Sequence, residues 1–63
     1  MTEHEIPSAA EGHFRIQRGG GVPDCALLYV SDGWDVSNEF FTASQLREIA
    51  RLCTNIADEI EGK

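Results

Sequence analysis

Positive charge is scarce in this chain. Of 63 residues only 5 are Lys or Arg, against 11 Asp or Glu, which leaves a net charge of −6. That balance argues against a nucleic-acid binder, whose affinity comes from clustered Lys and Arg neutralising phosphates. Long apolar runs are missing too: none approaches the roughly 18 to 20 residues of a membrane span. Residues 1–13 carry neither the basic start nor the apolar stretch of a secretory signal. A cytoplasmic, reducing setting is therefore expected, where structural disulfides are rare. Cysteine is limited to Cys25 and Cys53, both expected as free thiols, with Cys53 acting as a small core hydrophobe on a helix.

Familiar catalytic and ligand-holding patterns are also lacking. The soft metal ligands His4, His13, Cys25 and Cys53 are spaced 9, 12 and 28 apart. Structural zinc sites draw close pairs, because one turn of chain must converge two ligands on the ion, so no metal or other cofactor is expected. Gly19-Gly20-Gly21 leads into Val22-Pro23-Asp24 and then a strand. A phosphate cradle needs its glycines to open onto a helix N-terminus instead. Ser31, Asp32 and Asp35 cluster with no nearby histidine in ordered chain, so the base of a nucleophilic triad is missing. Asp32, Asp35 and Glu39 offer carboxylates for acid–base work, but a chain this short has little volume for a water-excluding pocket. A non-enzyme is expected.

The length allows one small domain. A core of this size rarely supplies more than about 3–5 kcal/mol without a staple, a metal or a partner chain. Residues 1–13 contain Glu3, Glu5 and Glu11 but no periodicity, and read as a flexible acidic arm ahead of a domain over 14–63. Phe14–Arg18 alternates apolar and polar, as a half-buried strand does. Ala26–Val30 is apolar on both faces and reads as a more central strand, antiparallel to the first across the glycine loop. Asp32-Gly33 signals a turn, and a third short strand is a candidate around Glu39–Phe41.

The helix is the clearest element. Thr42 and Gln45 form a T-x-x-Q capping box, and Phe41 with Leu46 has the spacing of a hydrophobic staple. Leu46, Ile49, Cys53, Ile56 and Ile60 follow at alternating intervals of 3 and 4, and Gly62 fits a stop. Leu52 falls off that stripe. The fold class expected is α+β: a small two- or three-stranded antiparallel sheet packed against one C-terminal helix. Packing of the stripe on Phe14, Ile16, Leu28 and Val30 is favoured, with Ile56 at its buried centre. A short seam with a second copy is the rival use, and a homodimer would supply the missing core.

Protein–protein contact is the leading function, in a small acidic regulatory or accessory chain whose format is common among phage and mobile-element products. Candidate contact residues are Tyr29, Trp34, Asp35, Leu52, Asp58, Glu59 and Glu61. Trp34 sits on a turn between two carboxylates, and Trp and Tyr are frequent interface anchors. Its competing role is a lid over the small core. Asp58, Glu59 and Glu61 crowd the negative end of the helix dipole, where cations are preferred, so they serve a basic partner or merely solvate the terminus. One alternative is a DNA mimic that occupies a nucleic-acid-binding groove with its carboxylates. Another is a small nucleic-acid-binding regulator that uses Arg15, Arg18, Arg47 and Arg51, if these converge on one face.

Overall fold

The computed structural model describes residues 3–18 and 21–62. Four strands precede one helix: β1 (Glu3–Pro7), β2 (His13–Arg18), β3 (Cys25–Ser31), β4 (Val36–Thr42) and α1 (Ala43–Ile60). The strands form a single antiparallel meander in the order β1-β2-β3-β4. The class is α+β, with four strands where two or three are expected from sequence.

The additional strand comes from the segment that reads as an acidic arm. Glu3–Pro7 pairs with His13–Gln17, Ile6 opposite Phe14 and Glu5 opposite Arg15. All five β1 residues are exposed, so no apolar alternation marks the strand. The intervening turn is held by Ser8, whose Oγ accepts N–H bonds from Ala10 (3.1 Å) and Gly12 (2.9 Å). Ser8 N–H also donates to the Gly12 carbonyl at 3.0 Å. Gly12 is required by crowding, because a Cβ there would lie 1.7 Å from the Ser31 carbonyl oxygen. The hairpin between β2 and β3 follows the expected pairing, with Ile16 opposite Leu28. Gly19 and Gly20 of its expected glycine loop lie outside the described residues.

Strand alternation sorts the side chains onto two faces. One carries Ile6, Phe14, Ile16, Ala26, Leu28, Val30 and Phe41 and is largely apolar. The other carries Glu3, Glu5, His13, Arg15, Tyr29 and Asn38, with Leu27 and Phe40 among them. β3, hydrogen-bonded on both sides, holds the one buried residue among those described: Ala26, 4% exposed.

The chain passes from β4 into α1 through the expected capping box. Gln45 N–H donates to Thr42 Oγ1 at 3.3 Å, and Gln45 Oε1 accepts from Thr42 N–H at 2.9 Å. The helix then departs from expectation. Leu46 reaches the apolar sheet face beside His4, Ile16 and Ala26, and Leu46 and Ile49 are half-buried, but every residue from Ala50 to Ile60 is exposed. Ile56, expected at the centre of the buried face, is 53% exposed, and Leu52, expected off the stripe, is 48% exposed. Both line one shallow apolar groove with Cys53, Ala57 and Ile60. At 100° per residue Leu52 lies only some 40° from Ile56, so a strict 3-4 spacing makes the apolar arc too narrow. At the C-terminus, Gly62 takes a left-handed φ of 84° and ends the helix, with its N–H on the Glu59 carbonyl.

Candidate functional site

The turn between β3 and β4 is built by one side chain. Asp32 Oδ1 accepts from the N–H groups of Trp34 and Asp35, each at 2.8 Å. Asp32 N–H returns a bond to the Asp35 carbonyl at 3.2 Å, and Ser31 Oγ accepts from Gly33 N–H at 3.1 Å. Gly33 has a φ of 97°, which L side chains rarely adopt. The two N–H donors, Asp35 first, hold the Asp32 carboxyl below its ordinary value by favouring the charged form.

Trp34 stands at the tip of this turn, 87% exposed. A ring this exposed does not act as a lid over the core. A Trp side chain normally buries 150–250 Å² when it packs, so its exposure on a hydrogen-bonded turn leaves a large apolar surface uncovered. Asp35 is exposed beside it.

Tyr29 belongs to a different surface. On the polar sheet face its ring stacks on His13 at 5.3 Å between centroids, and the Arg15 guanidinium lies 4.4 Å above it. Diagonal pairs continue the cluster onto β1: His13 to Glu5 at 3.4 Å and Arg15 to Glu3 at 3.7 Å. Tyr29 is half-buried, and the register puts it among partners of its own sheet rather than with Trp34.

The remaining candidates sit on α1. Asp58, Glu59 and Glu61 are exposed, and none forms a salt bridge among the described residues. The four arginines are divided between the two sheet faces and the helix. Arg15 lies on the polar sheet face and Arg18, three positions on, belongs to the opposite one. Arg47 and Arg51 are on the helix, where Arg51 is paired with Glu48. Cys25 and Cys53 are free thiols, half-buried and exposed respectively. Among the described residues no three His, Cys, Asp or Glu side chains gather as a metal-holding group, and no helix is long and apolar enough to cross a membrane.

Comparison adds no identity: no family model, no curated protein and no solved structure matches the chain. Sequence reasoning found the Trp34 turn through its Asp-Gly signal. It missed the His13–Arg15–Tyr29 cluster, which becomes visible only once β1 is known to pair with β2.

Proposed function

We propose that this chain is a small acidic binding protein that acts by contacting another protein through the Asp32–Asp35 turn. The observation that carries the reading is the exposure of the sole Trp on a backbone fixed by Asp32. A preorganised aromatic anchor loses little conformational freedom on binding, and such residues dominate interface energetics. Asp32 and Asp35 flank the ring with negative charge, and the whole chain is acidic. The partner they fit is a protein with an apolar pocket rimmed by Lys or Arg, which the excess charge would also steer into encounter.

The test uses the full chain as bait in the cell that makes it, beside Trp34→Ala and Asp35→Lys variants. A specific partner is expected to bind Trp34→Ala about 30-fold more weakly, the loss of a central anchor worth some 2 kcal/mol. Asp35→Lys is expected to slow association, with an effect that shrinks as salt rises. A partner held equally by wild type and Trp34→Ala would remove the turn from the reading.

A further inference from the structure

We infer that the exposed half of α1 is a self-association surface, and that two copies of this chain pack antiparallel about a two-fold axis near Ile56. The inference is independent of the Trp34 reading, since turn and helix stripe are separate surfaces.

The single chain is underburied. Its accessible surface is 5049 Å², whereas a folded monomer of 7.0 kDa is expected to expose about 4,000 Å². Its radius of gyration is 13.0 Å, against about 11 Å for a compact chain of this length. The excess surface, about 1,000 Å² per chain, corresponds to about 2,000 Å² in a pair, the upper end of a standard stable interface. Of the exposed large apolar side chains, three lie together on the helix: Leu52, Ile56 and Ile60 are 48%, 53% and 79% exposed and share one groove with Cys53 and Ala57.

A second copy fits this groove by symmetry and by charge. A two-fold contact uses the same patch on both partners. With the axis at Ile56, Leu52 of each helix meets Ile60 of the other, while Cys53 and Ala57 are small enough to let the backbones approach. The helix itself is polarised. Arg47, Glu48 and Arg51 give its first half a net positive charge, and Asp58, Glu59 and Glu61 make its end negative. With the axis at Ile56, Glu61 of one helix lies level with Arg51 of the other. That carboxylate, unfavourable at its own C-terminus, then gains a basic neighbour.

The experiment measures mass and geometry in the full chain. Sedimentation at tens of micromolar is expected to give twice the 7.0 kDa chain mass, and the melting temperature is expected to rise with concentration. Packed helix axes about 8–10 Å apart, less two Cα radii of about 2.3 Å, leave facing Cα atoms within disulfide reach. Ile56→Cys, with Cys25 and Cys53 replaced by Ser, is therefore expected to cross-link into a dimer under mild oxidation. Asn55→Cys, 100° round the helix on the side away from Cys53 and Ala57, is not. Ile56→Asp and Leu52→Asp are each expected to abolish the dimer, whether the released chain stays folded or unfolds. Three results would overturn the inference: a monomer with concentration-independent melting, a larger assembly, or equal cross-linking at positions 55 and 56. If only a different protein covers the stripe, wild type is monomeric alone and the first of these is seen.

Discussion

At the residue scale, the most consequential side chain is Asp32, because one carboxylate oxygen holds two backbone N–H groups and so fixes Trp34. Asp32→Ala is expected to leave the sheet intact and free the turn, read as a drop in Trp34 fluorescence anisotropy. The carboxyl also makes the turn pH-sensitive in a defined direction. Its folded-state pKa is lowered, so its stabilising contribution is complete above the ordinary Asp value of about 3.9 and is lost as pH falls through the lower folded value. Trp34 anisotropy is expected to be flat from neutral pH down to about 4 and to fall only below it. A transition near neutral pH would mean that the Asp32 carboxyl does not hold the turn. Gly12 is the second sensitive residue, for a steric reason. Its missing Cβ is occupied by the Ser31 carbonyl, so Gly12→Ala must push β1–β2 away from the end of β3. A loss of amide protection across β1 is the expected signature, while the same change at Gly21, where a Cβ meets nothing, strains only the local φ.

At the element scale, α1 and β1 form for opposite reasons, and that explains why one was legible in the sequence and the other was not. α1 announces itself through local chemistry, a reciprocal cap at Thr42 and Gln45 and an apolar arc, and both hydrogen bonds of the cap are present. Thr42→Ala is expected to cost about 1 kcal/mol, measurable as a lower denaturant midpoint. β1 has no such local signal. Its residues are all exposed, and its order comes from pairing with β2 and from the diagonal contacts Glu5–His13 and Glu3–Arg15. Cross-strand pairs of this kind are invisible until the register is known. β4 is intermediate: Glu39–Phe41 was readable through Phe40 and Phe41, while Val36–Asn38 is exposed and carries no alternation. Deleting residues 1–11 accordingly removes a strand, not an arm. It is expected to lower the melting temperature and to bare the β2 edge, with aggregation as the visible consequence.

At the scale of the whole molecule, the apolar stripe of α1 is expected to pack on the sheet, and beyond Ile49 it does not. Leu46 meets the sheet face beside His4, Ile16 and Ala26, and no residue of α1 beyond Ile49 is covered. Strands β2 and β3 are hydrogen-bonded on both sides and flank the buried Ala26, so their order does not depend on a partner. The helix beyond Ala50 has no such support within one chain, and isolated helices of this length are marginal in water. Hydrogen exchange should separate the two parts. Amides of β2 and β3 are expected to be the slowest at every protein concentration, since they open only with the sheet. Amides from Leu52 to Ile60 are expected to exchange within seconds in dilute solution and to slow as concentration rises, because mass action then supplies the missing neighbour. Equal and concentration-independent protection of sheet and helix would mean that α1 folds back on the sheet face in solution. Ile56 would then occupy the buried position that its place in the stripe first suggests.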